Sequence, residues 1–255
     1  GDQELVFLYL EQSMALFDLE KWSEAEERLS KAIEVINTLP ASDSHPADLA
    51  SLEFLRSHAL ALMNRIGEAS GSLANLLTPA LMQEMDVSEQ ALVLFFRGKI
   101  LSHQGLLRQA ENALEESIAA YSQAIGLGAE DLFLEQVSAK IYLARVTGRR
   151  GRLDEALEIC HDCYAQLTEM DQEDGPPALE VADVSELEAW ILNNLERYAE
   201  ALVFCDRAAD ALTQIRNNET EADVETEHSL NLVTRALGLS GLGRSEEAIP
   251  LAEQA

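Results

Sequence analysis

The residues in this sequence best suited to chemistry are Cys160-His161-Asp162-Cys163, two cysteines with two residues between them. Thiols at that spacing can share a zinc ion or shuttle a disulfide, and both tasks need the thiolate. Each asks for more than one pair. A zinc site needs a second Cys or His pair at ligand spacing, and none occurs elsewhere. A thioredoxin-like site needs a strand before the motif and a helix after it. The histidines, His45, His58, His103, His161 and His228, show no i, i+4 pair and no neighbouring nucleophile. Thr147-Gly148-Arg149-Arg150-Gly151 combines glycines with cations but lacks the Gly-Lys-Ser/Thr ending of a phosphate loop. The expectation is a chain that is not an enzyme, with no metal or cofactor site and with cysteines that pack.

Composition narrows the partners. The 46 acidic and 18 basic residues give a formal charge of −28, which repels nucleic acid phosphates and anionic lipid. The longest apolar runs, such as Ala91 to Phe96, are too short to span a bilayer. The opening Gly1-Asp2-Gln3-Glu4 lacks the basic start and apolar stretch of a signal peptide, and three cysteines fit a reducing compartment. The expected location is therefore cytoplasmic, with no nucleic acid or membrane partner. Apolar residues make up 47% and aromatics 5%, a balance that favours closely packed helices over a sheet.

The elements that position these residues come from an internal repeat. Six segments align on Ala25, Ala69, Ala110, Ala156, Ala201 and Ala248, at spacings of 44, 41, 46, 45 and 47 residues. Twelve residues before each alanine stands a small residue: Ser13, Ser57, Gly98, Ala144, Ala189 or Ala236. Nine before it stands Leu16, Leu60, Leu101, Thr147, Leu192 or Leu239, and four after it Leu29, Leu73, Leu114, Cys160, Cys205 or Ala252. This is the signature of two helices whose backbones approach closely at the small residue and the alanine. Gly105, Gly151 and Gly243, five before the alanine, suit the left-handed turn that ends a helix. Ser23 with Glu26 predicts a capping box, and Asp154 and Ser245 predict caps of their own. Loops are expected at Leu39 to Pro46, Leu127 to Asp131, Glu169 to Ser185 and Asn217 to His228, the third acidic and marked by Pro176-Pro177.

The pattern small–x2–large–x3–Gly–x–large–x2–Ala, with Trp22, Leu107, Leu153 and Tyr198 in the second large slot, resembles the tetratricopeptide repeat. That family's usual period is about 34 residues, and the longer spacing here is similar to the extended repeats of kinesin light chains and bacterial signalling proteins. Ser44-His45-Pro46-Ala47-Asp48 is similar to a helix-opening segment of kinesin light chain repeats, with Pro46 suited to a first turn. The resemblance implies an all-α, right-handed solenoid of about six hairpins over residues 1–255. The sequence stops inside the sixth hairpin's second helix, which reads as a fragment of a longer protein.

Function follows from the concave wall that the resemblance implies, built from first helices. The family's groove positions lie eighteen, fifteen, eleven, eight and seven residues before the alanine. Here they place Phe54, His58 and Ala61 in the second repeat, and Phe95, Lys99, Ser102 and His103 in the third. The fourth supplies Ile141, Arg145, Gly148 and Arg149, and the fifth Glu186, Trp190, Asn193 and Asn194. Residues 97–152 carry a net charge of +2, between stretches of −11 and −18. The candidate peptide-binding residues are therefore Lys99, His103, Arg145, Arg149, His58, Trp190, Asn193 and Asn194, facing an acidic or carboxylate-bearing peptide or helix. Against this stands ordinary pairing of the cations with Glu130, Asp131 and Glu135. Two other readings stay open: a regulatory arm of a larger enzyme or transcription regulator, which would contact another domain of the same chain, and a structural spacer.

Overall fold

The computed structural model describes residues 2–39, 46–170, 177–217 and 224–255, and no strand occurs among the described residues. The fold class is an all-α solenoid of helical hairpins. The sequence reading takes 1–255 as one array; the structure divides into two compact units, Gly1–Glu130 and Asp131–Ala255. In the first, hairpins α1 (Asp2–Asp18) with α2 (Trp22–Thr38), α3 (Pro46–Leu62) with α4 (Ile66–Leu76), and α6 (Val87–His103) with α7 (Leu107–Gly126) follow in order. A short extra helix, α5 (Pro79–Glu84), stands between the last two. In the second unit the hairpins are α8 (Phe133–Arg149) with α9 (Leu153–Glu169), α10 (Ala178–Asn194) with α11 (Tyr198–Asn217), and α12 (Glu225–Gly241) with α13 (Ser245–Gln254).

Each aligned alanine is buried, and so is the small residue twelve before it. A Cβ placed on Gly98 would lie 2.6 Å from Leu114 Cγ, so the α6–α7 contact needs glycine there. Ser57 Oγ, sealed in the α3–α4 contact, donates to Ala69 O at 2.9 Å. Within a unit, most second helices also pack on the next hairpin's first helix, as α2 does on α3 and α11 on α12. The first helices α3, α6, α10 and α12 are thus covered on two sides. One of the aligned positions fails: Ala252 is exposed, because no further helix packs on α13 among the described residues.

All six hairpin turns share one backbone solution. The N–H four residues before the alanine donates to the carbonyl nine before it: Lys21 to Leu16, Arg65 to Leu60, Leu106 to Leu101, Arg152 to Thr147, Arg197 to Leu192 and Arg244 to Leu239. That bond requires a left-handed residue just ahead of the donor. Gly105, Gly151 and Gly243 supply it at φ of 75°, 84° and 75°, while Glu20, Asn64 and Glu196 adopt it at 54°, 58° and 60°. A side chain there costs about 1–2 kcal/mol, offset in part by glycine's freer unfolded chain. Glu196→Gly is expected to raise stability by roughly 0.5 kcal/mol, and Gly151→Ala to lower it by about 1. Urea midpoints moving in the opposite directions would remove this account of the turns.

The expected caps do not form. Helix α2 already starts at Trp22, behind Lys21, so Ser23 lies inside the first turn and caps nothing. Glu26 instead accepts from Arg56 Nε at 3.0 Å. Asp154 and Ser245 likewise lie within their helices, behind Arg152 and Arg244. A basic residue at the turn reaches the glutamate three residues on: Arg65 to Glu68 (2.6 Å), Arg152 to Glu155 (3.0 Å), Arg197 to Glu200 (2.7 Å) and Arg244 to Glu247 (2.7 Å). The arginine's hydrogen bond holds the carboxyls of Glu68, Glu200 and Glu247 below the usual glutamate range. The one side-chain capping box among the described helices is Asp86 with Glu89, opening α6.

Two expected loops are shorter than the sequence suggested. Ala178–Asn194 is helical, because Ala182, Leu187 and Ile191 give it a buried stripe; Ser185, expected as loop, is buried within it. Helix α12 likewise begins at Glu225. Residues 171–176, which include Pro176, lie outside the described residues, as do 218–223 and the 40–45 segment with Ser44 and His45. Pro46 opens α3.

Candidate partner-binding faces

Three of the eight candidate residues fall in the first unit. His58, on α3, is half-buried against Phe96 (ring centroids 4.9 Å apart) and Phe17 (5.6 Å). Burial, and secondly the nearby Lys99 charge, hold its pKa below the usual histidine value. Lys99, on α6, lies over Phe95 at 5.4 Å and Phe96 at 5.7 Å, a cation–π arrangement that fixes its ammonium near the aromatic surface. His103 is exposed one turn further on, at the helix end where the dipole favours a cation.

The other five fall in the second unit. Arg145 and Arg149 sit one turn apart on α8 and so share a face. Arg145 is mostly buried and donates through Nη2 to Asp183 Oδ1 at 3.0 Å. The pairing that sequence reasoning weighed thus exists for Arg145, but with α10 and not with Glu130, Asp131 or Glu135. Behind it, Glu186 is buried; burial pushes its carboxyl above the usual range, Arg145 pulls the other way, and Thr234 Oγ1 donates to it at 3.0 Å. Arg149 is exposed. Trp190 closes on α8 at Gly148, where an added Cβ would stand 3.0 Å from Cζ3. Asn193 serves packing: its Nδ2 donates to Thr234 O at 2.8 Å and ties α10 to α12. Asn194 is exposed and donates to Trp190 O on its own helix. Arg145, Arg149 and Trp190 therefore form one patch, while Asn193 belongs to the helix contact.

The cysteines sit in the core of the second unit. Cys160, Cys163 and Cys205 are fully buried. Burial raises all three thiols, Cys163 and Cys205 to about 12, which favours the protonated, packing form over the thiolate. Among the described residues no cluster of three or more His, Cys, Asp or Glu is placed to hold a metal, and no helix is long and apolar enough to cross a membrane.

Six hairpins, each turned through the same left-handed residue and sealed by an alanine against a small residue, decide the architecture. The fold is that of tetratricopeptide-like repeats. No family model matches the sequence, and no curated protein matches it. Solved structures do. TPR-like repeats of a putative kinesin light chain from Podosopora anserina superpose with a TM-score of 0.64 at 17% identity, covering 86% of this chain and 99% of that one. The apo quorum sensor NprR from B. thuringiensis gives 0.72 at 16%, and NprR in complex with its cognate peptide NprX gives 0.70 at 17%. Both NprR superpositions cover 98% of this chain but only 63% and 65% of NprR, so this chain spans just under two thirds of NprR's length.

Sequence reasoning did not carry the candidate positions to the first and last repeats. The same spacing applied to the first and last repeats gives Phe7 and Met14 on α1, and Leu230, Val233 and Leu237 on α12. All five are apolar and exposed, Phe7 at 63% and Leu237 at 55%. The signal was the alanine register already in hand, carried to both ends.

Proposed function

We propose that this chain is a non-catalytic interaction module that holds a peptide or helix of a partner protein against its first-helix faces. An acidic or carboxylate-bearing segment would meet Arg145 and Arg149, with Lys99 and His103 as the corresponding cations of the first unit. The observation that carries the reading is Arg149 one turn from Arg145 beside Trp190, a cationic and aromatic patch in a chain of charge −28. Acidic surfaces elsewhere repel an anionic ligand and steer it to such a patch. A structure of the same fold, NprR, holds its cognate peptide, which supports a peptide as the ligand class by fold analogy alone.

The test is titration with a labelled pool of Glu-rich hexapeptides bearing free carboxylates. Arg149→Glu is expected to weaken binding at least tenfold. Arg145→Glu should cost binding and stability together, since it sets a third carboxylate beside Asp183 and Glu186. Asp183→Asn should strengthen binding by releasing Arg145, Arg28→Glu on α2 should do little, and raised salt should weaken the wild type. Equal losses from Arg28→Glu and Arg149→Glu would mean that the patch is ordinary solvated surface.

A further inference from the structure

The first unit contains a cavity of about 260 Å³ between α3, α5 and α6. Its walls are Phe54 and Leu55 from α3, Leu81 and Met85 from α5 and its end, and Leu92 and Val93 from α6. Phe54 and Leu92 occupy groove positions, so the cavity opens on the first-helix face. The third wall exists only because the extra helix α5 is held in place. Thr78 Oγ1 accepts from Leu81 N and Pro79 opens the helix. Gln90 Nε2 then donates to Met82 O at 2.8 Å and Met85 O at 3.0 Å, tying α5 to α6. A void of on the order of 150 Å³ lined by aliphatic side chains is enough to bind benzene. This one accommodates a branched or aromatic side chain, and lies below the roughly 300–1,000 Å³ typical of pockets for larger ligands.

Among the described residues the two charged groups lining the cavity are acidic, Glu84 at the end of α5 and Glu89 in the first turn of α6, and both are exposed. Glu89 accepts from Asp86 N at 2.9 Å with one oxygen. Among the described residues no basic side chain lines the cavity. We infer that this cavity is a specificity pocket for one bulky apolar side chain of a partner peptide, flanked in that peptide by lysine or arginine paired with Glu84 and Glu89. The apolar wall supplies affinity and the two carboxylates select the flanking charge. It rests on the peptide-binding reading for its class of partner, but not on the arginine patch of the second unit.

The probes are three acetylated, amidated peptides: Gly-Lys-Leu-Lys-Gly, Gly-Lys-Ala-Lys-Gly and Gly-Glu-Leu-Glu-Gly. Methyl resonances of the whole chain report where each binds. The first is expected to shift Leu81, Leu92 and Val93 and to bind at least tenfold tighter than the other two. Ser51→Trp, which adds an indole to the cavity lining, should abolish that preference in a chain that still melts cooperatively. Glu84→Gln/Glu89→Gln, which keeps the capping box through glutamine, should equalise the Lys-Leu-Lys and Glu-Leu-Glu peptides. Equal binding of the alanine peptide, or shifts that survive Ser51→Trp, would overturn the pocket. If these probes fail while Glu-rich peptides still depend on Arg149, the cavity is refuted and the arginine patch stands.

Discussion

Ala110→Phe and Gly98→Leu are each expected to lower the melting temperature by several degrees, while Gly71→Ala raises it slightly. Ala110 is fully buried at the point where α6 and α7 come closest, and Gly98 faces it. A single added carbon at Gly98 already overlaps Leu114 at 2.6 and 2.7 Å and comes within 3.4 Å of Ala110 O. Leu114 is itself buried, so it has no solvent into which to turn. Larger groups must therefore prise the hairpin apart, an overpacking cost of about 1–3 kcal/mol. Gly71 is the control: it lies on the exposed side of α4 with nothing within 4 Å of an added Cβ, and alanine there gains about 0.5–1 kcal/mol of helix propensity. Calorimetric melting of the three variants checks the set. Unchanged melting for both Ala110→Phe and Gly98→Leu would mean that the aligned alanine does not mark the close contact.

That contact was legible in the sequence because sterics leave no choice of residue: only a small side chain fits, and six small residues stay in register. The turns were half legible. Glycine announces a left-handed backbone, and Asn64 hints at one, but Glu20 and Glu196 adopt the same φ under the pull of the bond that closes the turn, and their residue type says nothing of it. The caps were misread because Ser23, Asp154 and Ser245 have the right chemistry one or two positions too late. The basic residue four before the alanine and the glutamate one before it were the regularity to find. Among the site residues, spacing assigns a side of the helix and no more. It brought Arg145 and Arg149 to one face, yet could not show that Asn193 reaches across to Thr234, since that depends on how closely α12 sits. The cavity was beyond the sequence for the same reason. Thr78-Pro79 signals a helix start, but where α5 rests against α3 and α6 is a tertiary fact.

Glu188→Gln is expected to stabilise the second unit at pH 8 and to leave it nearly unchanged at pH 4.5. Glu188 is fully buried on α10, with Arg207 Nη1 3.3 Å from one carboxylate oxygen and His161 Nε2 3.4 Å from the other. Arg207 is held over the rings of Tyr164 at 3.9 Å and Phe204 at 4.6 Å. Burial outweighs that charge and raises the carboxyl to about 7, against an ordinary value of 4.5. Below about pH 4.5 the group is protonated in both folded and unfolded chains, and its full stability is present. Between there and about pH 7 the folded chain retains a proton that the unfolded chain releases, so stability falls as pH rises. The whole interval corresponds to roughly 3 kcal/mol, and solvent access to Arg207 and His161 reduces the expected gain from glutamine at pH 8 to about 1–3 kcal/mol. Arg207→Ala should steepen the wild-type decline by removing the compensating charge. Urea unfolding of the three proteins at both pH values decides it. A glutamine variant that is less stable than wild type at pH 8 would show that the pair with Arg207 more than compensates the buried charge, reversing the balance argued from burial.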